Sequence, residues 1–160
     1  MKTTYDGEPI SPDPPYGAMI VVTTLAPEGR RFLILHRAHD GPDYEGDWAW
    51  TPPSGCRKPG EPVEDCAARE LLEETGLQAI PQPVVTEDVD WTVFLLDVPP
   101  STQIIGDGIE HDRFEWVDFT ETHERCRPDV VQANLLLAFE AIQKASGIPQ
   151  ISAPGAELRR

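Results

Sequence analysis

"GCRKPGEPVEDCAARELLEETGL", residues 55–77, is the stretch on which the reading of the fold turns. Pro62 suits the first turn of a helix, where its missing N–H costs nothing, and Gly76 is a natural C-terminal stop. Between them Ala67, Ala68, Leu71 and Leu72 supply an apolar face, so a helix is expected from 62 to about 75. At helical spacing Glu73 lies about −60° and Glu74 about +40° around the axis from Glu70, which puts three carboxylates on one face. Two readings compete. The acids form a solvated face, where like charges repel by roughly 0.2–0.5 kcal/mol per exposed pair. Or they seat a divalent cation, which reverses the sign of that interaction. Arg69, four residues before Glu73, can pair with it and hold its rotamer. Gly55 lets the backbone come close to the acids, and its carbonyl is a further candidate oxygen ligand. Glu64 and Asp65 are ordinary first-turn acids that favour a helix N-terminus.

Outward from this helix the chain alternates between strands and turns. "GAMIVVTTLAPEGRRFLILHR" reads as a hairpin with strands over about 18–25 and 31–36. Residues 38–47, "AHDGPDYEGD", are a loop, followed by a short strand carrying Trp48 and Trp50 on one side. Further strands are expected at about 82–88, 91–98 and 113–119, the last with Phe114 and Trp116 facing the core. A second helix spans 129–145, with Val131, Leu135, Ala138 and Ile142 as its stripe. The order of elements predicts a mixed, partly antiparallel sheet between helices rather than a doubly wound parallel fold. Residues 1–16 read as a proline-rich arm, 17–147 as one domain and 148–160 as a tail with little to pack.

Composition narrows the function. The 160 residues suit one domain with a real core. A net charge of −15 disfavours a bulk electrostatic grip on DNA, RNA or an anionic membrane. It leaves open small phosphorylated ligands held through cations. No apolar run is long enough to cross a membrane, and the polar N-terminus lacks the core of a secretory signal, so a cytoplasmic protein is expected. Cys56, Cys66 and Cys126 show no CxxC spacing and read as reduced thiols.

Taken together, the fixed positions resemble a known signature. Gly55, five residues, Glu61, seven residues, Arg69–Glu70–Leu71, one residue, Glu73–Glu74, one residue, Gly76–Leu77 is similar to the complete motif of the Nudix hydrolase family, with no gap altered. The resemblance implies an α/β/α sandwich over about 17–145, with the motif as loop–helix–loop. It implies hydrolysis, dependent on Mg²⁺ or Mn²⁺, of a nucleoside diphosphate linked to another moiety. Glu70, Glu73 and Glu74 would be the metal ligands, with Glu70 alternatively orienting or deprotonating water. Glu61 and Arg69 would brace the loop and the ligands. Ser54 stands where many relatives carry a first glycine; it is small, and no loss of activity is expected.

Outside the motif, "EHDRFEWV" (110–117) resembles a stretch in branches that hydrolyse nucleotide polyphosphates. There Glu110 would face the metals as base or ligand, and His111 would contact a phosphate or orient water. Arg37 is a candidate phosphate or base contact. Tyr44, Trp48 and Trp50 surround the entry to the motif, where an aromatic ring could stack on a base. Loop 38–47 could act as a lid. The leading expectation is cleavage of a nucleoside triphosphate or dinucleoside polyphosphate. The alternatives are an ADP-ribose or sugar-nucleotide pyrophosphatase, disfavoured because position 91 is Trp where that branch often has Pro, and a non-catalytic sensing or protein-binding domain, disfavoured because every metal-site carboxylate is present. A homodimer, with the arm adding to its interface, is compatible with the sequence.

Overall fold

Strand β1 (Gly17–Ala26) is buried from end to end save its last two residues, and its neighbours explain why. It runs antiparallel to β2 (Gly29–Arg37) on one side and parallel to β6 (Trp91–Asp97) on the other. The computed structural model describes residues 2–4, 6–84 and 90–145. Around the central strands lie β3 (Trp50–Thr51), β4 (Ser54–Cys56), β5 (Gln82–Pro83) and β7 (His111–Val117). β4 pairs with the start of β1, and β7 pairs with β2. The sheet is therefore mixed, as its sequence pattern predicts. Helices α1 (Val63–Thr75), α2 (Phe119–Arg125) and α3 (Asp129–Ala145) complete the fold.

Alternation along each strand divides the core in two. Met19, Val21, Phe32, Ile34 and Val93 pack with Val131, Leu135 and Ala138 of α3. Ala18, Ile20, Leu33, Leu35 and Phe94 pack with Cys66, Ala67 and Leu71 of α1. One helical layer thus covers each face, which is the α/β/α sandwich. Truncating a buried anchor such as Leu71 to Ala would cost about 2–5 kcal/mol.

α1 starts just after Pro62 and ends on Gly76, whose φ of 75° lets its N–H reach the Leu72 carbonyl at 2.9 Å. Leu72 departs from expectation: it is 48% exposed, because the helix meets the sheet along the Ala67–Leu71 line only. Trp48 and Trp50 also part. Trp48 adopts φ 70°, outside any strand, and stays exposed, while Trp50 is buried in β3. Phe114 is exposed rather than core, whereas Trp116 packs against the α1-side cluster. The strand expected over 82–88 is two residues long where described, with 85–88 outside the described residues, as is the expected tail 148–160.

The proline-rich arm is tied to the end of β4 by Arg57, which donates to the carbonyls of Pro15 (2.8 Å) and Asp13 (2.7 Å). Cys56, Cys66 and Cys126 are free thiols. Among the described residues no helix is long and apolar enough to cross a membrane.

Candidate metal centre

The inner side of α1 faces β4, and two of its acids are drawn inward. Glu70 is 8% and Glu74 2% exposed, while the Glu73 side chain keeps 53% of its surface. Helical spacing places all three on one side; depth separates them. Glu74 Oε1 accepts the Ser54 N–H at 3.0 Å, and its Oε2 is buried without a hydrogen-bond partner. Burial pushes the Glu74 carboxyl well above the usual carboxylate range, and the neighbouring Glu70 and Glu110 push it further. Burial likewise raises Glu70, against the pull of Arg69.

Arg69 organises the entrance. Its guanidinium forks onto Glu61, Nε to Oε2 at 2.8 Å and Nη2 to Oε1 at 2.9 Å. Nη1 donates to Glu70 Oε1 at 2.7 Å and reaches Glu73 Oε1 only at 3.5 Å, and Nη2 also donates to the Cys56 carbonyl at 3.2 Å. The main partner of Arg69 is therefore Glu61, not the Glu73 that helical spacing suggests. Glu61 in turn accepts the Lys58 N–H at 3.0 Å, and the hydrogen bond from Arg69 holds its carboxyl below the usual range. Loop and helix are locked by one planar fork.

Gly55 closes the floor. A Cβ there would overlap the Glu70 carboxyl, and a Cβ on Gly17, across the β1–β4 pair, would overlap the Gly55 carbonyl. Both glycines are needed because backbone and side chain meet at contact distance. The Gly55 carbonyl also accepts from the Cys66 thiol, Sγ to oxygen 3.7 Å.

The second side of the site comes from the start of β7. Asp107 Oδ1 accepts the N–H groups of Ile109 (2.8 Å) and Glu110 (3.2 Å), a turn that presents Glu110. Glu74, Glu110 and His111 each offer a ligand atom, and these atoms lie within 4.8 Å of one another. Burial raises the Glu110 carboxyl, with Glu70 and Asp107 adding and Arg37 opposing. Burial, with Arg37, pushes His111 down to about 4, so the imidazole is neutral at neutral pH. Its Nδ1 is buried without a partner. An orphaned carboxylate oxygen and an orphaned imidazole nitrogen are each costly on their own. Side by side with Glu110, they are a donor set able to hold a divalent cation.

Of the residues singled out from sequence, Glu74, Glu110 and His111 converge, and Glu70 lies close enough to act on the Glu74 and Glu110 carboxyls. Arg37 stands beside them, in register with His111. Tyr44 does not. It packs against the α3-side core, its hydroxyl donates to the Asp47 carbonyl at 3.0 Å, and its own carbonyl contacts His36 Nε2 at 2.7 Å. It pins loop 38–47 instead of facing the acids. Ser54 and Gly17 contribute without having been singled out for it. Ser54 works through its backbone, which no side-chain pattern reveals. Gly17 had only a visible glycine at the head of a strand as its signal.

A model of the NUDIX domain family matches residues 15–136. Among solved structures, a mutT/nudix family protein from Listeria innocua superposes with TM-score 0.64 at 25% identity, covering 82% of this chain and 95% of that one. An Ap4A hydrolase of C. elegans, in a binary complex, superposes with TM-score 0.62 at 19% identity, covering 82% and 98%. An octanoyltransferase from Myxococcus xanthus is 33% identical over 137 residues, 77% of this chain. The chain spans only 36% of that relative's length. With the family model matched over most of its length and the sandwich in place, the chain belongs to the NUDIX family.

Proposed function

We propose that this protein hydrolyses a diphosphate linkage in a nucleotide polyphosphate, a nucleoside triphosphate or dinucleoside polyphosphate, with Mg²⁺ or Mn²⁺. One observation carries the reading: Glu74, Glu110 and His111 converge within 4.8 Å, with a buried Glu74 oxygen left without a partner. Glu70, Glu74, Glu110 and His111 would hold the cation, with Glu73 at the rim and the Gly55 carbonyl as a further oxygen. When bound, the ion supplies charge neutralisation at phosphate oxygens and a nucleophilic water near neutral pH.

The protein's own residues do the rest. The Glu61–Arg69 fork fixes loop against helix, so Glu70 keeps its position without reorganising during the reaction. Arg37, close enough to Glu110 and His111 to influence both, suits a phosphate oxygen. The proton lost by the attacking water passes to a carboxylate of the cluster that is not bound to the cation. The water oxygen bonds to phosphorus, the bridging P–O bond breaks, and the leaving phosphate carries the electron pair.

A panel of diphosphate substrates with Mg²⁺, read by phosphate release and product identity, tests this. Turnover of nucleoside triphosphates or dinucleoside polyphosphates is expected. Preference for ADP-ribose or a nucleotide sugar would move the chain to the pyrophosphatase alternative. Inactivity on the whole panel, with no metal bound at millimolar concentration, would favour a non-catalytic domain.

A further inference from the structure

Strand β7 breaks its alternation once, and the break decides where His111 points. Paired residues of neighbouring strands share a face of the sheet. Phe32 and Ile34 of β2 belong to the α3-side core, and Leu33 and Leu35 to the α1-side core. Their partners on β7 follow: Val117, opposite Phe32, packs on the α3 side, and Trp116, opposite Leu33, on the α1 side. His36, opposite Arg113, continues the α3-side row. Its ring lies 4.8 Å from that of Trp50, a member of the α3-side core, and the Arg113 guanidinium lies 5.2 Å from the same indole.

Strict alternation would put His111, two residues before Arg113, on that α3-side row as well. It lies on the other face, because the register shifts between His36 and Arg37. Arg113 pairs with His36, and the next pair is His111 with Arg37, which leaves Asp112 as the extra residue of a β-bulge. The shift brings His111 to the α1 face, within reach of Glu74. The Ala38 N–H carries the new register onward by donating to the Glu110 carbonyl at 2.9 Å.

A bulge disrupts the ladder, so some contact must favour it over the regular register. In the regular register Asp112 would stand opposite Arg37, itself a favourable pairing of opposite charges. The bulge gives Asp112 a buried partner instead. His36 is 0% exposed, and its Nδ1 lies 2.9 and 3.1 Å from the two Asp112 carboxylate oxygens. On the far side of the ring Nε2 meets the Tyr44 carbonyl at 2.7 Å, so the imidazole is held at both nitrogens. Arg113 Nη1 lies 3.2 Å from the same Nδ1 and donates to Asp112 Oδ1 at 3.0 Å. A carboxylate seated on a buried ring and a guanidinium would lose both contacts on turning to Arg37.

We propose that His36 and Asp112 are positioning residues: their contact holds the bulge that turns His111, and with it Glu110, toward Glu74. The inference rests on the metal reading of that centre proposed above.

Asp112→Ala, Asp112→Asn and a chain lacking residue 112, each checked for folding by thermal melting, test it. The Asp112 side chain keeps 27% of its surface, so truncation opens no core cavity. In the metal-free protein, NMR contacts between the strands should place Arg37 opposite His111 in the wild type and opposite residue 112 in Asp112→Ala, a slip that turns His111 to the other face. Asp112→Asn, whose amide oxygen can still accept from His36, should keep the wild-type register. In the chain lacking residue 112, His111 directly precedes Arg113, so a regular ladder should again bring it opposite Arg37. A trace of paramagnetic Mn²⁺ should broaden the His111 ring resonances in the wild type, Asp112→Asn and the shortened chain, and leave them sharp in Asp112→Ala. For the substrate turned over by the wild type, kcat should fall about tenfold or more in Asp112→Ala, the scale for a group that orients metal ligands, and recover in Asp112→Asn. Wild-type register in Asp112→Ala would overturn the inference, as would loss of the His111–Arg37 pairing in the shortened chain. If Mn²⁺ leaves His111 sharp in the wild type too, the metal reading fails on its own, and the strand register still decides whether His36 and Asp112 hold the bulge.

Discussion

Gly55 lies so close to Glu70 that a Cβ on residue 55 would overlap the carboxyl carbon and both of its oxygens. The smallest side-chain addition would thus fall on a carboxyl that the proposed function assigns to the cation. Gly55→Ala should displace the Glu70 carboxyl and lower kcat by about a hundredfold, the scale of an ångström-level misplacement. Overpacking should also lower stability by about 1–3 kcal/mol. Steady-state kinetics and a melting curve check both, and activity within about twofold of wild type would show that the placement of Glu70 is unimportant.

The fork between Arg69 and Glu61 predicts that charge alone will not substitute for shape. Lysine carries the charge but cannot donate to both Glu61 oxygens and Glu70 at once. Arg69→Lys should therefore lower kcat about tenfold or more, the usual scale for a group that positions metal ligands. Glu61→Gln should do the same, and the double variant should be little worse than either single one, since both break one unit. Additive losses would separate the two residues.

What is legible in the motif is a matter of range. Glu61, Arg69, Glu70 and Glu74 lie within one loop and helix, so spacing alone places them together. Spacing does not reveal depth: Glu70 and Glu74 are buried and Glu73 is not, because α1 meets β4 on one flank only. Nor does it reveal that the partner of Arg69 sits eight residues back across a loop turn rather than one helical turn ahead. The alternation of Trp48 and Trp50 suggested one strand face, and a positive φ at Trp48 broke it. α2 did carry a visible signal, since Asp118 caps the N–H of Glu121 at 2.8 Å in a D-x-x-E pattern. A cleft lined by Met19, Trp48, Trp91 and Val131 draws on residues far apart in sequence, brought together only by the sheet and α3.

Glu74 Oε2 should reveal the cation without any substrate. A ligand that binds only the folded state stabilises it by about 2.7 kcal/mol at a hundredfold excess over Kd. Added Mg²⁺ or Mn²⁺ should raise the melting temperature of the wild type, and chelation should reverse the rise. In Glu74→Gln most of that rise should vanish, and kcat should fall at least about a hundredfold. With chelator present, the Gln variant should melt at or above the wild type, because an amide is less costly to bury than an unpaired carboxylate. Equal cation-dependent shifts in the two proteins would remove Glu74 from the site.

Away from the metal centre, Arg125 forks onto Glu115 at 3.0 and 3.2 Å and covers the Trp50 ring at 4.1 Å. The hydrogen bond from Arg125 holds the Glu115 carboxyl below its usual 4.5, more than its partial burial raises it. Between the folded and unfolded values the unfolded chain binds more protons, so stability from this pair is present above about pH 4.5 and is lost as pH falls through the folded value. Glu115→Gln should melt below the wild type at neutral pH, and the gap should close as the pH falls below 4.5 and through the folded value. Arg125→Ala removes the same ion pair but also uncovers Trp50, whose packing does not titrate. Its deficit should shrink on acidification yet persist. Melting curves of the three proteins across pH separate the two contributions, and a gap for Glu115→Gln that is constant with pH would mean that the ion pair adds nothing to folding.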